Sequence, residues 1–393
     1  MRRLTTVFLI ISAIVAPLAA QQDRLETFQA SFASSNLQTK LEILRAADGD
    51  DPVTFGPLYG QALSFAVSNA DSLSTEPLLR EIALVAVNRI AAGRYEPAVN
   101  DLWRLFRSYD ETTGRIQILN VLGDLAGANE QTIDFMNAWV NTQNNLTRAG
   151  TRVDLQVLTA AVEALGRIGS ASSFESVLDV ILVQYPDFVT EPALTAMESL
   201  DGESLELATD AVVGKSVSEK RAPFLFLIDN DFLQDGDKLE LARRTLANAL
   251  LLRPQEIVEQ EEARQVRFAA AEVLRAGEYA EATGEVIRHF NETVLEYDRD
   301  RIPKNRLLEA IATLGAMGTP EAATRLTDYL ELLNTFTEID RPYDTQVLLA
   351  VITNLEILDS PSSYNALFFT TLLENYPRRV RDAAREAMES VSQ

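Results

Sequence analysis

The feature that most constrains this chain is an apolar pattern of helical period that recurs from about residue 78 to the C-terminus. One copy runs from Leu158 to Ile168, with apolar side chains three or four residues apart, and Gly169 follows it directly. Another copy runs from Leu307 to Met317 and is followed by Gly318. This spacing places the apolar side chains on one face of a helix, which must be buried against a neighbouring element. A glycine at that point favours a helix end, because it adopts the left-handed conformation without strain.

Each apolar helix is closed by a glycine or an aspartate, and the closing residues recur at similar intervals along the chain. They are Gly93, Gly127, Gly169, Gly202, Gly236, Gly277, Gly318 and Asp359. The last three intervals are equal, and periods of about 20–50 residues are typical of helical solenoids and related repeat folds. We therefore predict an all-α fold, an α–α superhelix (solenoid) of about eight helix pairs over residues 78–393. Residues 21–77 are predicted to form an irregular helical N-terminal cap, because an end repeat must cover its apolar face.

A longer repeat is visible in residue identity. The segment from Tyr185 to Leu200 aligns without gaps to the segment from Tyr376 to Val391, and the two are identical at eight of sixteen positions. The sequence SASSF from Ser170 to Phe174 likewise resembles SPSSY from Ser360 to Tyr364. The repeat is thus present in identity as well as in pattern.

Two segments carry a resemblance to a known family. The segment from Ala164 to Gly169 (ALGRIG) and that from Thr313 to Gly318 (TLGAMG) resemble the end of the first helix in HEAT-type repeats. The resemblance implies armadillo-like helical hairpins that stack into a curved superhelix and bind proteins on its surface. It covers about residue 78 to the C-terminus and departs from the family between Lys220 and Asp237, where the pattern is blurred. It is specific for the fold and weak for function.

Two other segments resemble a different family of helical repeats. The segment from Ala92 to Ala98 (AGRYEPA) and the segment from Ala276 to Ala282 (AGEYAEA) are similar to the turn of tetratricopeptide repeats. We favour HEAT-like repeats, since the last three intervals are longer than the tetratricopeptide period of about 34 residues. Both labels imply stacked helix pairs.

The first twenty residues differ from the rest. Arg2 and Arg3 precede an apolar run from Val7 to Ala16, and small residues follow Pro17 up to Ala20. This arrangement predicts a secretory signal peptide over residues 1–20, and the alternative is an uncleaved anchor. No later segment approaches the length of uninterrupted apolar sequence that a membrane span needs, so we expect no integral membrane segment after signal cleavage. The chain has no cysteine, and we expect an exported protein, periplasmic or secreted, from a bacterial source.

The charge balance limits the classes of partner. Without Arg2 and Arg3, 33 basic residues stand against 58 acidic ones, a net charge of −25. Such an acidic surface disfavours nucleic acid and anionic lipid, because phosphate binding needs a positive surface. It favours solubility and is compatible with basic partners.

The residues needed for common catalytic and metal sites are scarce, so we predict no catalytic residue, no cofactor and no metal. His289 is the one histidine and no cysteine is present, which excludes His-rich zinc sites and Cys–His catalysis. We expect His289 to be a partly exposed helix residue. The acidic segment from Asp229 to Asp237 fails two positions of a calcium loop and is better explained as a turn between helices. Trp103 and Trp139 lie at helical spacing among apolar residues, which indicates core packing.

Basic residues cluster at one place, in the last predicted helix. They are Arg378, Arg379, Arg381 and Arg385. We predict that they form a partner-binding end for an acidic protein or for a second copy of the chain. The alternative is a solvated face on which the interleaved Asp382, Glu386 and Glu389 pair with them.

The predicted function is that of a non-catalytic extracytoplasmic scaffold or adaptor, which binds a protein or peptide partner on one solenoid face. One alternative is a helical-toroid enzyme that acts on polysaccharide. Another is a self-associating structural subunit of a cell-envelope assembly.

Overall fold

The computed structural model describes residues 21–339 and 343–391. The predicted signal peptide therefore lies outside the described residues. Helices account for most of the described chain, and no strand occurs in it. The predicted all-α class, built from sequential helix pairs, is confirmed.

The chain divides into two compact units, of which unit 1 ends at Gly202 and unit 2 begins at Glu203. In its described residues, unit 1 contains α1 (residues 21–34), α2 (Leu37–Ala46), α3 (Gly56–Ser68), α4 (Pro77–Gly93), α5 (Val99–Ser108), α6 (Thr112–Leu125), α7 (Glu130–Arg148), α8 (Leu155–Ile168), α9 (Phe174–Leu182) and α10 (Asp187–Glu198). Unit 2 contains α11 (Ser204–Val213), α12 (Arg221–Asp229), α13 (Asp235–Ala249), α14 (Ile257–Ala276), α15 (Thr283–Asp298), α16 (Lys304–Gly315), α17 (Pro320–Glu338), α18 (Thr345–Leu358), α19 (Tyr364–Leu372) and α20 (Arg378–Val391).

Within each unit the helices form two layers. Even-numbered helices pack against the next even-numbered helix, and odd-numbered helices pack against the next odd-numbered one. Each odd helix from α3 onward also pairs with the even helix that follows it. The apolar stripes meet between the layers, where side chains such as Leu158, Leu165 and Leu314 are fully buried. Each side chain of this kind contributes about 1.5–3 kcal/mol to folding.

Small residues let the even helices approach each other closely. A Cβ atom added to Gly123 of α6 would lie 2.9 Å from the Cα of Ala164 on α8. One added to Gly166 of α8 would lie 2.9 Å from the Cα of Ala196 on α10. The glycine inside the ALGRIG segment is therefore a packing residue between neighbouring pairs.

The predicted helix ends are confirmed at several places. Gly169 and Asp359 are left-handed C-caps, with φ of 75° and 45°. Gly318 is also left-handed, with φ of 65°, but α16 ends three residues earlier, at Gly315. The Thr319 side chain accepts a hydrogen bond from the Ala322 amide at the start of α17, as expected of a hydroxyl N-cap.

Four closing glycines behave differently from the expectation, and one of them, Gly127, lies within the short 3₁₀ helix Ala126–Ala128 and is not left-handed. At the ends of α4 and α14 the left-handed residues are Arg94 and Glu278, one position after Gly93 and Gly277. Position 93 instead has no room for a side chain, because an added Cβ would lie 2.3 Å from the carbonyl oxygen of Pro52. The prediction for Gly236 is wrong, since it lies in the first turn of α13 rather than at a helix end.

Unit 2 repeats the helix order of unit 1. Helices α7, α8 and α9 have counterparts of equal length in α17, α18 and α19, which follow one another at the same spacing. The Tyr185 hydroxyl donates to Oδ1 of Asn144 at 3.2 Å, and the Tyr376 hydroxyl donates to Oδ1 of Asn334 at 3.0 Å. The identity between the two YP segments thus reflects one shared buried hydrogen bond between an odd helix and the turn that precedes α10 or α20.

The repeat extends to the start of each unit. Lys40 of α2 and Lys220 before α12 are buried, and each ammonium donates to two carbonyl oxygens seven and eight positions earlier in the chain. Burial lowers the pKa of both lysines. The segment after Lys220, blurred in the sequence pattern, thus corresponds to α2 and α3 of unit 1. The predicted boundary between a cap and a solenoid at residues 77 and 78 stays a prediction.

Candidate protein-binding surface

The four arginines predicted to bind a partner all lie on α20. Arg378 and Arg385 both approach Asp382, at 3.3 and 3.2 Å. These three residues, with Arg381, share one helix face because they are spaced by three or four positions. Arg378 is 89% exposed at its side chain, and Arg379 is exposed as well.

Arg381 differs from the other three because it is half-buried. Its Nε atom is buried and has no hydrogen-bond partner in the part of the chain that the structure describes. The structure therefore brings together Arg378, Arg385 and Asp382 as an ion-paired face, and it leaves Arg379 on the solvent side. Assignment of these arginines to a partner stays a prediction.

The sequence analysis missed the helix that pairs with α20. Tyr364, Phe368, Phe369 and Leu372 of α19 are all exposed, and they are the largest group of exposed large apolar side chains on one helix of the described residues. The Tyr364 and Phe368 rings stack with centroids 6.5 Å apart and planes at 3°. We call these four side chains the α19 surface. The short connection over residues 373–377 joins it to the first turn of α20, which carries Arg378 and Arg379.

A signal for the α19 surface is present in the sequence. The helix reads YNALFFTTL and contains no charged residue, so it lacks the charged face that a surface helix usually turns toward water. Ala366, Leu367 and Thr370 are buried against the rest of the unit. Because these three fill the inner face, the aromatic residues are left outside.

The two tryptophans lie in the packing of unit 1, as expected for Trp103, which is 5% exposed. Its ring stacks on Phe106 at 5.0 Å, and the half-buried Trp139 meets Phe106 edge-on at 5.2 Å. The Arg115 guanidinium lies over Phe106 at 4.5 Å and over Trp139 at 5.4 Å. Burial lowers the pKa of Arg115, and the charge of Asp154 opposes this shift.

The expectation for His289 is wrong. The side chain is fully buried on α15, where its ring meets Phe268 edge-on at 4.8 Å. Neither ring nitrogen has a hydrogen-bond partner among the described residues. Burial, with a smaller contribution from the Arg267 charge, lowers the pKa of His289 well below its usual value, so the ring is neutral near pH 7. The helical period alone could not place His289, because the side chain that packs against its ring, Phe268, belongs to another helix, α14.

The acidic segment considered as a calcium loop joins α12 to α13. Asn230 Oδ1 accepts a hydrogen bond from the Phe232 amide at 2.9 Å, which closes a local turn. Asp235 and Asp237 belong to the first turn of α13, where negative charge is favourable for the helix dipole. Within residues 21–339 and 343–391, no group of three or more acidic or histidine side chains is placed to hold a metal ion.

An open groove of about 500 Å³ lies between α8 and α10 on the even layer of unit 1. Glu163, Arg167, Glu191 and Pro192 line it. The Arg167 guanidinium is held 3.3 Å from a carboxylate oxygen of Asp124 on α6. Two glutamates and one arginine therefore line the groove among small and polar residues, and no aromatic side chain is among the lining residues.

None of the helices formed by the described residues is long and apolar enough to cross a membrane. No protein-family model matches the chain, and no curated protein matches it. The chain is similar to a solved structure from work on a phosphorylation switch that controls the interaction between cadherin and beta-catenin. That match covers 94% of this chain and 78% of the other, with 14% sequence identity and a TM-score of 0.36.

Proposed function

We propose that this chain is an exported, non-catalytic scaffold that binds a protein or peptide partner through the α19 surface. The observation that carries the proposal is the exposure of Tyr364, Phe368, Phe369 and Leu372 on one helix. Protein interfaces place aromatic and aliphatic anchors at the centre of the buried area, surrounded by a polar rim. Contiguous apolar surface on a soluble domain generally marks such an interaction site.

The arginines at the start of α20 indicate that the proposed partner carries negative charge. Arg378 and Arg379 are exposed in a chain whose net charge is −23. Arginine at an interface rim speeds and orients association with acidic surfaces. We infer that the partner presents apolar side chains beside acidic ones.

The test is photo-crosslinking in cells from a probe amino acid placed at position 364. The expected result is one crosslinked product, which is reduced at least ~10-fold in the double variant Phe368→Ser, Leu372→Ser, since an interface anchor contributes about 2 kcal/mol or more. The matched control is Val53→Ser with Phe188→Ser, which removes two exposed apolar side chains from unit 1 and should leave the product unchanged.

Equal loss of the product in both double variants, or no product at all, would contradict the proposal. A product that contains only copies of this chain would favour the self-associating subunit. The mass of this chain in the crosslinked product tests export in the same experiment. Export with cleavage after Ala20 removes residues 1–20 and leaves Gln21 as the first residue.

A further inference from the structure

A cavity of about 190 Å³ in unit 2 is rich in arginine. It lies between the connection from α13 to α14, the body of α14, and the end of α15. Arg253, Arg264, Arg267 and Arg301 line it together with Glu292 and Glu296. Four guanidinium groups therefore face two carboxylates, in a chain that is acidic as a whole.

The floor of the cavity is a shared ion pair. The Glu296 carboxylate accepts from Arg264 Nε at 3.2 Å through one oxygen and from Arg267 Nη2 through the other. Arg264 also donates to Glu261, so its charge is compensated. Arg267 is only 5% exposed, and its Nε has no hydrogen-bond partner among the described residues. A buried N–H of this kind is costly unless a ligand or water accepts from it.

The rim of the cavity carries positive charge that no carboxylate neutralises. Arg253 Nη1 donates to the carbonyl oxygens of Leu250 and Leu252, at 2.8 and 2.7 Å. These acceptors fix its position and are uncharged. Arg301 is exposed, and neither Arg253 nor Arg301 forms an ion pair in the described part of the chain.

The corresponding cavity in unit 1 shows that the fold does not require these arginines. It has a volume of about 230 Å³ and lies at the matching place, between the connection from α3 to α4, the start of α4, and the connection from α5 to α6. Arg80 lines it and donates through Nη1 to two carbonyl oxygens, as Arg253 does. The other charged residues there are Asp110 and Glu111. The cavity at this place in the fold is thus lined by one arginine in unit 1 and by four in unit 2.

We propose that the unit 2 cavity binds a carboxylate that carries a small apolar group. Arginine guanidiniums recognise carboxylates through paired, charge-assisted hydrogen bonds. Leu250, Leu252 and Pro254 also line the cavity and supply the smaller, apolar part of its surface, which suits a small group attached to the carboxylate. The volume is below the roughly 300–1,000 Å³ of sites for drug-sized ligands, so the ligand is small. A free carboxylic acid and the C-terminus of a peptide both supply this chemistry. The inference does not depend on the α19 surface.

The test is calorimetric titration of the full chain with four probes: 4-methylpentanoate, N-acetylleucine, N-acetylleucine amide and inorganic phosphate. The expected result is saturable binding of one or both carboxylates and none of the amide. Tighter binding of 4-methylpentanoate assigns a free acid, and tighter binding of N-acetylleucine assigns a peptide C-terminus. The double variant Arg253→Gln, Arg301→Gln should weaken binding at least ~10-fold. Arg80→Gln in unit 1 is the matched control and should leave binding unchanged.

Arg253→Gln also removes two hydrogen bonds to main-chain carbonyls, and Arg80→Gln removes the same kind of pair in unit 1, so the control variant shows any loss of stability that is unrelated to the ligand. Arg301 is exposed, so Arg301→Gln alone should unfold at the same temperature as the parent chain and should still weaken binding. The proposal is overturned if the amide binds as tightly as the acid, or if no carboxylate binds at millimolar concentration. It is also overturned if phosphate binds as tightly as the carboxylates, since phosphate has no apolar group. Unchanged binding in the arginine variants would place the ligand elsewhere.

Discussion

Helices α9 and α19 occupy matching places in the two units, yet they present different side chains to solvent. Leu178 of α9 is 2% exposed, whereas Phe368, at the matching position of α19, is 46% exposed. The next position is Asp179 in α9, which is bound by Arg148, and Phe369 in α19, which is exposed. The inner-face residues Ser176, Val177 and Val180 of α9 and their counterparts in α19 are buried in both units. The units therefore share an inner face, and they differ in whether the neighbouring positions are covered and in the side chains that occupy them.

The cavities of the two units also share a position and differ in their side chains. Each has an arginine that is fixed by two backbone carbonyls, Arg80 in unit 1 and Arg253 in unit 2. The remaining charged residues are two acidic ones in unit 1, whereas in unit 2 they are three arginines and two glutamates, so their net charge differs in sign. We expect substitutions in the shared internal contacts to reduce stability strongly, and substitutions on the diverged surfaces to change binding with little effect on stability.

The largest expected effect is at the shared buried asparagine. Asn334 accepts from Tyr376 and Thr370 and donates to the Ala366 carbonyl oxygen. Asn334→Leu removes three hydrogen bonds, and we expect the free energy of unfolding to fall by about 3 kcal/mol, about 1 per bond. Denaturant unfolding measures the change.

The counterpart variant in unit 1 sharpens the comparison. Asn144 makes two such bonds, with the Tyr185 hydroxyl and with Asp179. Asn144→Leu should therefore cost about 2 kcal/mol. If both variants were as stable as the parent chain, the shared contact would not hold the framework together.

A smaller effect is expected where even helices touch. In Gly123→Ala the new methyl group meets the Cα of Ala164 at 2.9 Å, a main-chain atom that can move only with its helix. We expect a loss of about 2 kcal/mol, typical of overpacking. Gly127→Ala is the control, because nothing lies within 4 Å of the added atom. Thermal unfolding of the two variants compares them, and equal midpoints would show that α6 and α8 are not packed this tightly.

The smallest effect concerns a buried position at which the units differ. Because α15 begins at Thr283 where α5 begins at Val99, His289 lies at the position of the buried Leu105 in unit 1. Burial keeps the folded-state pKa of His289 below the unfolded value of about 6.5. Below that pH the unfolded chain takes up a proton that the folded chain does not, so stability is lost as the pH falls.

Between pH 7.5 and 5.5 we expect His289 to lower the free energy of unfolding by about 1.4 kcal/mol. His289→Leu should remove this dependence and should be no less stable at pH 7.5, because it removes two buried nitrogens without partners among the described residues. Denaturant unfolding at both pH values measures this. An identical pH profile in the parent chain and the variant would mean that the imidazole is accessible to protons in the folded state.

Much of the fold could be predicted from the sequence, since local patterns encode it. The stripe that ends at Gly169 and the hydroxyl at Thr319 specify where helices end and begin, independently of their neighbours. Gly236 was misassigned because glycine is compatible with the first turn of a helix as well as with its end. The α20 arginines could be located on a helix, but their surroundings could not, because pairing with Asp382 depends on rotamers as well as on spacing.

The sequence by itself determined that this chain is helical, paired and internally repeated, because helical period and capping are properties of neighbouring residues along the chain. Only the tertiary structure decided which apolar face remains uncovered on α19, that His289 is buried, and that four arginines spread from position 253 to 301 line one cavity. The physical reason is that burial and electrostatic environment depend on what packs against a residue. In a stacked helical protein that neighbour often belongs to the preceding or the following helix pair, far beyond the reach of any local pattern.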